Sequence, residues 1–335
     1  MAQAPFQWRA TRQDNSMDFR QTITTCPVIL AEGALIERLR RDPTVKLDPH
    51  IAHAGLVYDS QGRAALRTIY RQYMDIGRSA DLPLLTCAPT WRANPVRLRQ
   101  AGFDDRADVN GDCVRFVASI RAEYGAYAGQ IFVGGLMSCK GDAYRPAEAL
   151  PAGEAAAFHR FQARALAAAG VDFLLAATLP AASEALGLAR AMAECGLPYA
   201  LSFVLRPSGA LLDGTPLHQA VAALDSAVAP APFFYMANCV HPAVFETAFA
   251  AQTSQSPAVG RRVVGLQANT STKSPEELDN LPSLDAEEPE PFADAMVGLH
   301  HWFGTKILGG CCGTDNRHIA AIARRVGKEN TSPIR

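Results

Sequence analysis

Two short stretches of this chain bring together residue types that can do metal chemistry. Leu308-Gly309-Gly310-Cys311-Cys312-Gly313-Thr314 sets two adjacent cysteines among glycines, and Asn238-Cys239 places a third cysteine 72 positions upstream. Cysteine thiolates are soft ligands suited to zinc. Glycines on both sides free the backbone, so that two neighbouring sulfurs can turn toward one ion. Three sulfurs leave the fourth tetrahedral position open, which marks a catalytic zinc rather than a structural one. The competing readings are buried thiols in a tight turn and a redox pair. Adjacent cysteines bridge only with strain, and neither reading gives the glycines a task.

Such a site requires a fold that gathers distant strand ends. The chain alternates short apolar runs with longer Ala/Leu/Arg stretches, the pattern of βα units on a parallel sheet. Strands are expected at 27–31, 83–87, 130–134, 171–176, 199–205, 232–237, 262–267 and 305–308. Helices are expected at 154–169 and 182–195, stopped by Gly170 and Gly196. Eight such strands, in a chain somewhat longer than the ~250 residues typical of the fold, predict a single-domain (β/α)8 TIM barrel rather than an open doubly wound sheet. The C-terminal ends of barrel strands share one face, so a cysteine ending the sixth strand and two ending the eighth should meet there. Residues 1–25 are expected as an N-terminal extension or a helix packed outside the barrel, with the barrel spanning 26–330. The acidic, proline-rich segment 285–291 is expected as an exposed loop.

Bulk properties narrow the partners. The 335 residues are 48% hydrophobic and 19% charged, enough apolar material for one large core. A net charge of −1 and a pI near 6.7 give no electrostatic reason to bind nucleic acid or a membrane surface. The N-terminal stretch lacks the apolar segment of a secretory signal, and no apolar run reaches the roughly 18 residues of a membrane span. A soluble, cytoplasmic protein is expected, with its cysteines as thiols or metal ligands. Cys26, Cys87, Cys113, Cys139 and Cys195 sit singly among apolar or small neighbours and are expected as small buried residues.

From about residue 28 to 323 the chain resembles the homocysteine S-methyltransferase family. That family includes betaine- and S-methylmethionine-dependent enzymes and the homocysteine module of cobalamin-dependent methionine synthase. Residues 309–314 match its GGCCGT element and Asn238-Cys239 its NC element, with weaker echoes in Glu32-Gly33-Ala34, Thr178-Leu179-Pro180, Leu201-Ser202-Phe203 and Asp213-Gly214-Thr215-Pro216. The resemblance implies Zn2+ held by Cys239, Cys311 and Cys312, and a small-molecule thiol acceptor, homocysteine, that becomes methionine. It implies a small sulfonium or ammonium donor: S-methylmethionine, betaine or S-adenosylmethionine.

The departures cluster on amino-acid recognition. Glu32 stands where the family has aspartate, Ile36 where it usually has glycine, and Met137-Ser138 where it has Gly-Pro. Ala177 replaces the glutamate expected to hold the acceptor's ammonium. They leave open a different thiol or a selenol as acceptor, and a non-catalytic zinc- or thiol-binding barrel. Expected substrate contacts are Glu32, Gly33 and Thr178. Trp91 is placed for a cation–π contact with a donor onium, and Arg92 for its carboxylate; packing of Trp91 and solvation of Arg92 are the alternative. His241 is read as orienting the site or as a plain loop residue. His300 and His301 could be read as metal-binding, but successive residues on a helix do not face the same way, so they are not expected to share one ion. Arg317 and His318 are placed on the helix after the GGCCGT turn with no catalytic task. Oligomeric state is left open.

Overall fold

The computed structural model describes residues 18–104, 107–274, 277 and 286–330. Residues 1–17 of the expected extension and Asp285 of the acidic segment lie outside the described residues. Eight strands pair in parallel and in chain order: β1 (Ile29–Ala31), β2 (Leu84–Cys87), β3 (Ile131–Met137), β4 (Phe173–Leu179), β5 (Tyr199–Phe203), β6 (Phe234–Asn238), β7 (Val263–Ala268) and β8 (Ile307–Gly310). β8 also pairs with β1, so the sheet closes into the expected (β/α)8 barrel. The expected helices form at Ala152–Ala168 and Ala182–Ala193, and Gly170 and Gly196 follow them in the left-handed region. No described helix is long and apolar enough to cross a membrane.

Strand alternation sorts the core into two layers. Ile29, Leu85, Phe132, Phe173, Ala200, Phe234 and Ile307 fill the barrel interior, while Leu30, Leu84, Leu174 and Leu201 pack outward against the helices. Helix Phe19–Thr25 packs across the N-terminal mouth, with Phe19 and Ile23 against the interior layer. Phe19 stacks on Phe173 with ring centroids 4.5 Å apart and meets Phe132 edge-on at 5.6 Å. Asp18 caps the helix start through Gln21 N, and Lys306 Nζ donates to the Thr24 carbonyl at 3.1 Å.

Several boundaries differ from expectation. β3 and β4 each run three residues further, because Gly134, Gly135 and the Ala176-Ala177 pair are small enough to continue between packed neighbours. β8 includes Gly309 and Gly310, so the cysteine pair leaves the strand directly. Glu290 and Pro291, expected in a loop, form the first turn of helix Pro289–Phe303, where proline and an acid are favoured. Cys87, Cys113 and Cys139 are buried as expected; Cys26 and Cys195 are only partly so.

Candidate active site

Register with β7 brings the three cysteines together. Asn238 pairs with Gln267, which pairs in turn with Gly309. Just beyond these pairs, Cys239 N donates to the Gln267 carbonyl at 3.2 Å and Cys311 N to that of Ala268 at 2.7 Å. The sulfurs of Cys239 and Cys311 are 3.1 Å apart, those of Cys311 and Cys312 4.0 Å, and all three lie within 4.8 Å of one another.

The backbone is held in costly conformations to do this. Cys239 has φ 56° and Thr178 φ 60°, left-handed values that cost a non-glycine residue about 1–2 kcal/mol each. Asn238 fixes both. Its Oδ1 accepts from Thr178 N at 3.0 Å and from Ser202 Oγ at 2.7 Å, while its Nδ2 donates to Thr178 Oγ1 at 3.0 Å and faces Cys239 Sγ at 3.1 Å. The asparagine of the NC pair thus ties β4, β5 and β6 to the sulfur site. Opposite, Cys312 N donates to Asn269 Oδ1 at 3.1 Å, Gly313 N to Glu37 Oε2, and Thr314 Oγ1 to the Cys311 carbonyl at 2.7 Å. A Cβ on Gly313 would stand 1.7 Å from Thr270 Oγ1 at a φ of 84°, and one on Gly310 2.3 Å from Thr314 Oγ1. The flanking glycines serve close packing as well as backbone freedom.

The proximity of Cys311, then of Cys312, with Tyr144 and Asn238 adding to it, holds the Cys239 thiol well below the ordinary range, while the Cys311 and Cys312 thiols are pushed up. Tyr144, on the loop after β3, packs with Cys311 against the cluster of Val204, Leu212 and Cys239; the sequence gives it no distinguishing signal.

The cluster opens into a cavity of about 740 Å³ at the C-terminal face of the barrel, lined also by Glu32, Gly33, Trp91, Arg92, Ala177 and Thr178. Glu32 is 6% exposed; its carboxylate accepts from Thr86 Oγ1 and from Cys87 N at 3.2 Å. Burial raises its pKa to about 8 despite these bonds. Gly33 packs against the Tyr73 hydroxyl. Ala177 is buried and leaves no carboxylate at the end of β4. Met137 is buried too, and Ser138 Oγ donates to the Ala177 carbonyl at 2.9 Å.

Trp91 does not present an open face on both sides. The Arg92 guanidinium lies 4.1 Å from its ring centroid and donates to the Gly141 carbonyl at 2.6 Å. His241 caps helix Pro242–Gln255 through Ala243 N and meets Glu287 at 3.2 Å. His300 contacts the Thr305 carbonyl, Arg317 pairs with Asp315, and His318 sits between Asp315 and the Glu287 carbonyl, all outside the cavity lining.

The family profile described as Homocysteine S-methyltransferase matches residues 29–326, a range that takes in the barrel and the cysteine cluster. The chain belongs to the homocysteine S-methyltransferase family. It is therefore a thiol methyltransferase acting on small molecules. A curated family member, the homocysteine S-methyltransferase of Escherichia coli (strain K12), is 31% identical over 255 residues, covering 71% of this chain and 79% of its own length. Crystal structures of the homocysteine methyltransferase MmuM from Escherichia coli share the fold: the oxidized form has a TM-score of 0.70 and the metallated form 0.69. Both are 24% identical over 90% of this chain, with 97% and 98% of the MmuM chain covered.

Proposed function

We propose that the protein transfers a methyl group from a small onium donor to the thiol of homocysteine, giving methionine, with zinc held by Cys239, Cys311 and Cys312. The observation that carries the metal reading is the sulfur geometry. Zinc–sulfur bonds of about 2.3 Å put tetrahedral sulfurs about 3.8 Å apart; the spacings of 3.1 and 4.0 Å, with the third no more than 4.8 Å, need only small side-chain shifts to match. The metallated MmuM neighbour agrees with a metal in this fold. When bound, zinc acidifies a thiol at its open fourth position, so that the thiol reacts as a thiolate near neutral pH.

The chain's own residues position the reaction. Asn238 holds Cys239 and the β4 bulge at Thr178 in place, so the ligand set is fixed before substrate arrives. The acceptor sulfur forms its bond to the methyl carbon as the bond from that carbon to the onium atom breaks, and the leaving group keeps the electron pair. With S-methylmethionine both products are methionine. Glu32 is the acid assigned to an acceptor ammonium: of the other carboxylates lining the cavity, Glu37 is engaged by Arg41 and Gly313 N, and Asp142 accepts from Tyr144 N and pairs with Arg145.

A second acceptor remains in view because Ala177 lines the cavity where the family carries a carboxylate. The test is zinc content of wild type and Cys239→Ala, alongside homocysteine methylation with S-methylmethionine. About one zinc per chain, lost in the variant, with methionine formed by wild type, is expected. Zinc without methionine, regained with another thiol or selenol, would move the acceptor; no zinc would end the metal reading.

A further inference from the structure

Across the barrel from Cys239, the cavity holds His53 and Arg97, which have no task in the reaction as described, together with Arg92, expected from the sequence to meet a donor carboxylate. β2 faces β6 in an eight-strand ring; the loop after β2 carries Arg92, the helix that follows it, Pro95–Gln100, carries Arg97, and the segment after β1 carries His53; all three line the cavity. His53 is 2% exposed and its Nδ1 has no hydrogen-bond partner. Burial without a partner drives its pKa down to about 3, so the ring is neutral and offers one N–H and one lone pair.

Arg97 Nη1 donates to the His50 carbonyl at 3.2 Å, which ties it to the segment bearing His53, yet its buried Nε is also unpartnered. Arg92 spends one nitrogen on the Gly141 carbonyl and is depressed by burial and then by the nearby Arg97 charge. Among the described residues neither guanidinium has a carboxylate within ion-pair distance; Asp142 acts on Arg92 only as a weaker, more distant charge. Two guanidinium charges that line one cavity with an orphaned buried histidine are unfavourable unless an anion joins them.

We infer that His53, Arg92 and Arg97 form a carboxylate-binding subsite of the active-site cavity, which anchors the carboxylate of one of the two amino-acid reactants. The inference rests on the methyl-transfer reading above. It gives the pocket a polarity: sulfur chemistry at the cysteine wall and anion capture at the β2 wall, so that a zwitterionic reactant is held across the cavity with its reactive end toward Cys239. A forked guanidinium suits the planar carboxylate, and Arg92, pinned over Trp91, loses little freedom when it binds.

The test compares acids with their carboxamides. Calorimetric titration of the zinc-loaded protein with S-methylmethionine, homocysteine and the carboxamide of each should show at least one acid bound about tenfold or more tightly than its amide. The pair that discriminates identifies whose carboxylate is held. In Arg97→Gln and in His53→Gln that preference should shrink to about threefold or less, and Arg97→Lys should restore part of it. The inference is overturned if wild type shows no carboxylate-dependent binding, whether acid and amide bind alike or neither binds, or if the preference survives unchanged in both Gln variants. Carboxylate-dependent binding without methionine formation would instead sink the reading of homocysteine as acceptor and leave the subsite standing.

Discussion

Glu32 illustrates how one side chain sets pH behaviour here. Its folded pKa of about 8 lies above the ordinary 4.5, so the folded state holds this proton more tightly than the unfolded chain. The stability it contributes is complete below about pH 4.5 and is lost as pH rises through about 8. Denaturant unfolding of wild type and Glu32→Gln should therefore show wild type losing ground to the variant across that window; parallel pH profiles would refute the raised pKa. The same proton must leave before Glu32 can pair with an ammonium. Methionine, which carries the amino group without a thiol, should bind wild type more tightly at pH 8 than at pH 6, with the difference abolished in Glu32→Gln. At β4, Ala177→Glu restores a carboxylate to the cavity wall. If the acceptor's ammonium lies there, methionine affinity should rise about tenfold by calorimetry; no gain would favour an acceptor without that group.

At the scale of elements, the turn after β8 and the helix at the barrel mouth carry separate loads. Gly313 accepts neither a Cβ nor a negative φ, and it donates to Glu37 from beside the cysteine pair. Gly313→Ala should cost at least about 1–2 kcal/mol from the left-handed backbone alone and should weaken zinc retention, read by metal content after dialysis. Full occupancy with unchanged stability would show that the turn adapts. Helix Phe19–Thr25 has no part in the site, and Phe19→Ala should lower stability by about 3–5 kcal/mol while methyl transfer by the surviving folded protein stays normal. The periodicity of the helices and the count of strands were legible in the sequence because both depend on local patterning. The role of residues 19–25 was not, since an amphipathic stretch reads alike whether it plugs a barrel or lies against its side.

For the whole molecule, the cysteine cluster joins β6 to β8 through β7, so metal binding should act as a clasp on the closing side of the ring. Zinc that binds only the folded state at about 100 times its Kd adds about 2.7 kcal/mol. Thermal unfolding should move upward with zinc and downward with a chelator, and Cys239→Ala should respond to neither. What the sequence determined by itself was the barrel class and the identity of the sulfur triad. Strand count, glycine placement and the NC and GGCCGT stretches are written in order along the chain, and barrel closure makes their meeting obligatory. Tertiary structure alone decided the rest: the Asn238 clamp, the packing of Tyr144 on Cys239, the burial that raises Glu32, the stacking of Arg92 on Trp91 and the placing of His53, Arg92 and Arg97 on one cavity. These depend on which loops fold over the C-terminal face and on how far each side chain is withdrawn from water, and neither leaves a local pattern in the order of residues.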